Sequence, residues 1–320
     1  MIATYDFSKA FDKLRTDVII NRLMKCLFPK GFIQWILNYL TDRYQQVKIG
    51  LVTRYLTQVT SGVPQGSLLG PFLYAIATAS LQKINDFVHL IKYADDTTLC
   101  LPIFLNSDNA HILQEHNHIL NWSKLTCLDI NDSKCLNIII RKKNFQVPFD
   151  ILKQSRVDEL KVLGIWFNNS STWSTHIEKI IKLASRRLYA LRILKPYVSR
   201  TSLKNVYFST IRSLLEYCAP VFICLSYGDS SKLDKLQRRF HRILCSHDCC
   251  SPCLPSLNER RIELSLRLLS KVMVNDHILH PLLPPSSSSG RFILPHRLTS
   301  RRCNSFFVHT CELFNNRFKR

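Results

Sequence analysis

The sequence predicts an α+β protein: an antiparallel sheet packed with helices over the first half, followed by an all-α second half. Three observations predict it. Residues 1–170 run strand, helix pair, hairpin, helix, hairpin, helix, strand, strand, a mixed order typical of segregated helices and antiparallel strands. From about residue 172 the apolar spacing becomes helical throughout. The 320 residues are 46% hydrophobic and 21% charged, a composition that excludes a wholly disordered or fibrous chain, and no internal repeat is visible.

The elements follow in order. Residues 2–7 read as a strand that runs into Asp6-Phe7-Ser8-Lys9-Ala10-Phe11-Asp12. Thr16 and Asp17 can cap a helix with Val18, Ile19, Leu23 and Leu27 on a recurring face, and Pro29 and Gly31 break it. Phe32, Trp35, Ile36, Tyr39 and Leu40 mark a second helix. Residues 47–50 and 55–60 pair as a hairpin, and Gly62-Val63-Pro64-Gln65-Gly66-Ser67 is a loop entering a helix with Leu68, Leu73, Ile76 and Leu81. Residues 87–93 and 97–103 are short apolar segments around Ala94-Asp95-Asp96, so a hairpin with its acids at the tip is expected. Residues 109–126 are helical, and 136–140 and 161–167 are strand-like. Helices are expected over 173–194, 200–215 and 230–244. Residues 281–290, with four consecutive serines, read as a linker, and the basic, poorly patterned 291–320 as weakly ordered.

Charge narrows the partner. Residues 1–170 carry 19 basic and 14 acidic side chains, a net of +5; residues 171–320 carry 25 and 9, a net of +16. Such an excess repels itself within a compact fold and points to a polyanion. Arg186, Arg187, Arg192, Lys195 and Arg200, then Arg238, Arg239 and Arg242, are expected to contact phosphates, which fixes position without reading sequence; a merely soluble helix surface is the bland rival. The twelve cysteines are scattered, with no basic-then-apolar leader ahead of them, so a reducing, intracellular setting (nucleus or cytoplasm) is expected and not a secreted disulfide framework. No run of ~18 apolar residues is present, so no membrane span is expected. His241, Cys245, His247, Cys249, Cys250 and Cys253 crowd together, but no standard zinc pairing emerges and free thiols are the preferred reading.

Three segments carry chemistry together: Asp6 at a strand end, Pro64-Gln65-Gly66-Ser67 at a helix start, and Tyr93-Ala94-Asp95-Asp96 at a hairpin tip. Singly each is weak, since two adjacent aspartates at a tip are common turn chemistry. Jointly they form a carboxylate cluster that repels itself unless cations occupy it. Oxygen-only ligands favour hard ions such as Mg²⁺, and two such ions form the clamp for in-line phosphoryl transfer.

These stretches resemble the A, B and C motifs of a reverse transcriptase, most of all those of the LINE-type (non-LTR) retrotransposon branch. Leu128-Asp129-Ile130-Asn131-Asp132-Ser133-Lys134 is similar to the D motif. Val162-Leu163-Gly164-Ile165, followed by Trp173 and His176, resembles the E motif or primer grip. Leu214-Leu215-Glu216-Tyr217-Cys218 and Gln237-Arg238-Arg239 resemble the helical thumb. The resemblance implies a right-hand palm over 1–170, a thumb over 171–255 and a basic, partly irregular extension over 256–320.

It also implies roles. Asp6 and Asp95 would be ligands of two Mg²⁺ (or Mn²⁺) ions, with Asp96 the third acid and the Phe7 carbonyl completing the site. Phe11 would be the steric gate against a ribose 2′-hydroxyl. Gln65 and Gly66 would face the template and nascent base pair, and Tyr93 the primer terminus. Gly164 belongs to the primer grip, and Lys134 would help protonate the leaving pyrophosphate. Each has a plainer rival: Phe11 as core, Gly66 as turn geometry, Lys134 as a solvated charge. Asp12 is expected to cap or salt-bridge the next helix rather than bind metal.

The departure from the family is at the start. The resemblance implies that a fingers region would precede the first motif and is expected to be missing, so the first strand is expected to have exposed, unpaired edges and the triphosphate site to be incomplete. The implied function is an RNA-directed DNA polymerase with RNA template, DNA primer and deoxynucleotide as partners. The alternative is a catalytically inactive nucleic-acid-binding remnant. An RNA-maturing protein of the intron-encoded type is disfavoured by the thumb resemblance.

Overall fold

A computed structural model of the chain describes residues 1–104, 108–140, 152, 154–244, 254–288, 290–294 and 305–317. Two compact units emerge, Met1–Ser171 and Thr172–Arg320.

The first unit contains, in chain order, β1 (Ile2–Tyr5), α1 (Ala10–Lys13), α2 (Thr16–Lys25), α3 (Lys30–Leu40), β2 (Arg43–Gln45), β3 (Lys48–Ile49), β4 (Val52–Thr53), β5 (Thr57–Val59) and α4 (Leu69–Thr78). Then come β6 (His89–Tyr93), β7 (Asp96–Cys100), α5 (Ala110–Thr126), β8 (Leu136–Ile138), β9 (Ser155–Arg156), β10 (Glu159–Val162) and β11 (Ile165–Asn168). The main sheet has the order β6-β7-β1-β8-β9. It is antiparallel except for the β8–β9 pair, which is parallel.

Strand β1 lies in the middle. It pairs with β7 (Tyr5↔Thr97) and with β8 (Thr4↔Leu136). The expectation of unpaired edges is therefore wrong. Both neighbours are supplied by later sequence, so β1 needs no earlier partner. Alternation along β1 and the two residues that follow it buries Ala3, Tyr5 and Phe7 while Thr4 and Asp6 stay half-exposed. The buried set joins a core with Leu14, Ile19, Leu23, Ile36, Leu73, Leu99, Ile119 and Trp122.

Several local expectations are corrected. Strand β1 ends at Tyr5, and Phe7 instead makes an isolated bridge with Ile130. Helix α2 ends at Lys25, which leaves Leu27 at φ 58° and almost fully exposed, off the apolar face. Thr16 and Asp17 do not cap α2, whose N-cap position is Arg15; Asp17 pairs with that arginine at 2.5 Å. Gly31 lies inside α3 and breaks nothing. Residues 161–167 are not one strand: β10 and β11 pair as a hairpin. Its turn, Leu163 (φ 46°) and Gly164 (φ 86°), has the two positive φ values of a tight two-residue connection. The ribbon of residues 43–59 pairs in two steps, β2 with β5 and β3 with β4.

The second unit is helical, with α6 (Ser174–Leu194), α7 (Arg200–Tyr207), a π-helical turn (Phe208–Arg212), α8 (Ser213–Glu216), α9 (Tyr227–Leu244), α10 (Leu257–Val272) and α11 (Phe306–Arg317). Tyr207 and Phe240 stack at its centre with ring centroids 3.6 Å apart. Two helices exceed the sequence expectation. Helix α10 is opened by a capping box in which Ser256 and Glu259 satisfy each other's backbone N–H groups. Helix α11 falls in the stretch expected to be weakly ordered; Cys311 is buried against Leu269 and Phe292, and Asn315 bonds both backbone groups of Phe292. Ser286 bridges Phe292, so part of the serine-rich run is paired. Residues 245–253 of the Cys/His cluster lie outside the described residues; His241 is on α9. Among the described residues no helix is long and apolar enough to cross a membrane.

Candidate active site

The site is built on the β1 and β7 strand ends. Tyr5 pairs with Thr97, and continuing that antiparallel register sets Asp6 beside Asp96. Asp96 in turn pairs with Tyr93 across the β6–β7 hairpin, whose tip is Ala94, at φ 52°, and Asp95. Burial raises the Asp96 carboxyl pKa above its ordinary value, and the charges of Asp95 and then Asp6 push it further up. The Asp6 and Asp95 carboxylates thus lie near enough to Asp96 to disfavour its ionisation.

Lys134 faces them, its Nζ 3.5 Å from Asp6 Oδ2. The turn that carries it (Asp132–Lys134) is stitched to the first motif: the Asn131 N–H donates to the Asp6 carbonyl at 2.8 Å, and the Lys134 N–H to the Asn131 carbonyl at 3.0 Å. The Ser8 N–H donates to the Asp129 carbonyl at 2.8 Å. The D-motif stretch is therefore a backbone neighbour of the A-motif stretch.

A cavity of about 490 Å³ opens here, with Asp6, Phe7, Phe11, Asp12, Gln65, Asp95, Asn131 and Lys134 in its wall. Phe11 stacks on Tyr74 with centroids 4.6 Å apart. The buried Tyr74 hydroxyl is held above its ordinary pKa by burial and then by Asp95. The Phe7 ring meets Trp122 edge-on at 5.7 Å. Gln65 Nε2 donates to Asp12 Oδ1 at 2.8 Å. The expectation that Asp12 caps or salt-bridges the following helix is not met among the described residues; its carboxylate instead holds Gln65. A second cavity of about 220 Å³ is lined by Thr4, Asp6, Asp96, Thr98 and Lys134 together with Leu160–Leu163 of the β10–β11 hairpin. The hairpin that contains Gly164 thus stands beside the acids, although Gly164, Tyr93 and Gly66 line neither cavity.

The Gly62–Ser67 loop is held by backbone. The Gly62 N–H donates to the Leu14 carbonyl at 2.8 Å and the Val63 N–H to the Phe11 carbonyl at 2.9 Å. Gly62 has φ +80°, and a Cβ there would lie 2.6 Å from the Asp12 carbonyl oxygen. Gly66 shares that φ but has open space around it, so turn geometry is its requirement. Arg43 clamps the loop from the other side, donating to the carbonyls of Leu40 (3.0 Å), Ser61 (3.1 Å) and Gly62 (2.6 Å). Arg43, Tyr74 and Asn131 are contributors that sequence reasoning did not single out. Asn131 sits inside the quoted D-motif stretch, whereas Arg43 gives no sequence signal.

Of the arginines expected to contact phosphates, Arg186, Arg192, Arg200, Arg238, Arg239 and Arg242 are exposed. Arg187 is a correction: it is half-buried and donates to the Thr210 carbonyl within its own unit.

Carboxylate oxygens from Asp6, Asp95 and Asp96 are the donor type that hard divalent cations take, and a cation would relieve the repulsion felt at Asp96. Among the described residues, however, no three His, Cys, Asp or Glu side chains stand grouped as metal ligands, and Asp6 is paired with the Lys134 ammonium.

Residues 1–167 match the family model described as reverse transcriptase (RNA-dependent DNA polymerase). The chain belongs to that family. Over 260 residues this reverse-transcriptase chain is 26% identical to the probable RNA-directed DNA polymerase from transposon BS of Drosophila melanogaster, a match covering 76% of this chain and 28% of that protein. Over 251 residues it is 24% identical to the RNA-directed DNA polymerase from mobile element jockey of the same fly, covering 74% and 27%. The chain thus spans under a third of the length of these curated relatives. They bear out the resemblance to the LINE-type branch of the reverse transcriptases. Apo telomerase from Candida Tropicalis aligns over 88% of this chain and 51% of its own at 10% identity, with a TM-score of 0.40, a likeness too remote to bear on the fold.

Proposed function

We propose that this chain carries the catalytic centre of an RNA-directed DNA polymerase, which extends a DNA primer 3′-hydroxyl with deoxynucleotides on an RNA template. The observation that carries the reading is that Asp6 and Asp96 line one cavity beside the hairpin tip that bears Asp95. Membership of the reverse transcriptase family supports it.

In this reading the first unit is the palm and the helical second unit the thumb. Asp6, Asp95 and Asp96, with the Phe7 carbonyl, would hold two Mg²⁺ ions. When bound, such ions lower the pKa of the attacking hydroxyl and stabilise charge on the departing pyrophosphate. Phe11, backed by Tyr74, walls the cavity against a ribose 2′-hydroxyl. Gln65 contacts the nascent base pair and Gly66 gives its loop the turn it needs. Lys134 supplies a proton from Nζ to the leaving oxygen. Tyr93 and the Gly164 turn support the primer end. Arg186, Arg238 and Arg239 hold phosphates. The described cysteines are free thiols, which supports an intracellular setting.

A second reading, a family member that binds nucleic acid without synthesis, is favoured by two observations: Asp6 is engaged by Lys134, and no three described His, Cys, Asp or Glu side chains are grouped for a metal. Primer extension with Mg²⁺ on an RNA template separates the two. Extension by the wild type that is abolished by Asp95→Ala supports the polymerase. Absent extension, with salt-sensitive binding that survives the substitution, supports the second.

A further inference from the structure

The turn that presents Lys134 lies in solvent. Asp132, Ser133 and Lys134 are all exposed, so packing does little to fix them. One residue holds the turn. The Asn131 main-chain carbonyl accepts from the N–H groups of Lys134 (3.0 Å) and Cys135 (3.2 Å), and its side-chain Oδ1 accepts from the Ser133 hydroxyl at 2.7 Å. Asn131 occupies the N-cap position, where an asparagine side chain ordinarily takes a backbone N–H. Here it caps no backbone group and clasps Ser133 instead. The same residue is fixed to the acids, because its N–H donates to the Asp6 carbonyl at 2.8 Å. Asn131 and Lys134 both line the larger cavity, whereas Ser133 lines neither.

We infer that Asn131 is a positioning residue for Lys134: its side-chain clasp on Ser133 keeps the turn closed and holds the ammonium against Asp6, at the wall of the cavity. This rests on the polymerase reading for what the ammonium does. In that reading the primer 3′-hydroxyl gives its proton to water, and its oxygen bonds the α-phosphorus as the bridge to the β-phosphate breaks. Nζ passes a proton to the departing oxygen, is left as a neutral amine and regains a proton from water. Such a transfer needs the donor within hydrogen-bond reach of that oxygen. The flexible four-carbon stem of a lysine gives no such precision by itself, and an open turn would add its own freedom. Asp6 attracts the ammonium by charge; Asn131 fixes the backbone from which the ammonium reaches.

The test uses single-turnover extension by the full chain with Mg²⁺, a labelled DNA primer on an RNA template, and saturating deoxynucleotide. Ser133→Ala removes the clasp without touching either cavity. It should slow the step about 2- to 10-fold, the worth of one hydrogen bond, with the nucleotide concentration for half-maximal rate unchanged. Ser133→Thr keeps the hydroxyl and should retain the wild-type rate. In a Lys134→Ala background Ser133→Ala should add nothing, because the residue it acts through is gone; a merely structural role predicts the same further slowing with or without the lysine. Asn131→Ala removes the same bond from its other end, and the exposed Ser133 variants carry the test if that chain fails to fold. A wild-type rate in Ser133→Ala, or slowing that persists in the Lys134→Ala background, overturns the inference. Trace acetylation of the free chain, read by mass spectrometry, keeps the failures apart, since it needs no synthesis. Loss of the clasp in Ser133→Ala should raise the labelling rate of Lys134 about 2- to 5-fold, the worth of an exposed ion pair, and leave that of Lys161 unchanged. Equal Lys134 rates in wild type and Ser133→Ala overturn the inference. The expected labelling contrast in a chain that extends no primer sinks the polymerase reading alone.

Discussion

Lys134 Nζ lies 3.5 Å from Asp6 Oδ2, joining the turn before β8 to the end of β1. The pair is open to solvent, with 65% of the lysine side chain and 33% of the aspartate side chain exposed. The lysine thus offsets part of the negative charge that Asp6, Asp95 and Asp96 build together, on the carboxylate that the polymerase reading assigns to a cation.

Lys134→Ala should therefore have opposite effects on binding and rate. Removing a competitor for Asp6 should strengthen divalent-cation binding, by up to about fivefold for an exposed pair. Loss of the Nζ proton should slow extension. Mn²⁺ titration and single-turnover extension on the same sample check both; unchanged cation affinity would show that the pair does not compete with metal.

Two glycines with the same φ should respond differently. Gly66→Ala meets only the left-handed backbone strain, about 1–2 kcal/mol. Gly62→Ala adds a clash with the Asp12 carbonyl and should cost more, about 3 kcal/mol, with the loop displaced. Urea unfolding of the full chain, followed by a probe on the first unit, gives the comparison.

Unfolding of the second unit should depend on Glu216. Arg212 is buried and bonded to Glu216, while Arg260 pairs with the same carboxylate at 3.1 Å. Burial raises the Glu216 pKa, but bonds from Arg260 and Arg212 outweigh it and the carboxyl sits below its ordinary value. Glu216→Ala leaves a buried guanidinium without its counter-charge and should cost about 3–5 kcal/mol. Glu263→Ala, in more exposed pairs with Arg260 and Arg267, should cost under about 1 kcal/mol. Thermal melts of both variants decide this.

Acid should weaken the first unit through His116, whose Nδ1 meets the Tyr5 hydroxyl at 2.9 Å in the interior. Burial lowers the His116 pKa below its ordinary 6.5, with Asp132 partly opposing. A histidine whose folded pKa is depressed contributes stability that is present above the unfolded value and lost as pH falls through the folded one. The melting temperature should fall between pH 7.5 and 5, and less steeply in His116→Gln. An unaltered slope would mean that other groups carry the acid sensitivity.

Salt dependence should sort the arginines of the second unit. Arg238→Ala and Arg239→Ala should each flatten the slope of log affinity against log salt by up to about 0.9 if the side chain contacts a duplex phosphate. Arg187→Ala should lower stability instead, because that guanidinium holds the Thr210 carbonyl.

What was legible in the sequence was local. The two short apolar segments around Ala94-Asp95-Asp96 are a short-range hairpin signal, and β6 and β7 form there. The helical spacing of residues 173–194 is likewise realised in α6. The central place of β1 was not legible, because its partners at Thr97 and Leu136 are chosen by long-range pairing, which leaves no local pattern. The β10–β11 turn was hidden because Leu163 adopts a positive φ inside an apolar run. Helix α11 was hidden because net charge masks the few residues, such as Cys311, that anchor it. At the site, residue type announced the aspartates. The Asp12–Gln65 bond and the Arg43 clamp depend on how two loops meet in space, which no spacing rule encodes.

The central claim is that Asp6, Asp95 and Asp96 act as one cation-binding set. Counting Mn²⁺ by electron paramagnetic resonance tests it most directly, using the full chain with primer, RNA template and a non-hydrolysable deoxynucleotide. The account predicts two bound ions in the wild type and the loss of at least one in each of Asp6→Ala, Asp95→Ala and Asp96→Ala, with the fold intact by circular dichroism. Full occupancy in all three variants, or none in the wild type, would contradict it.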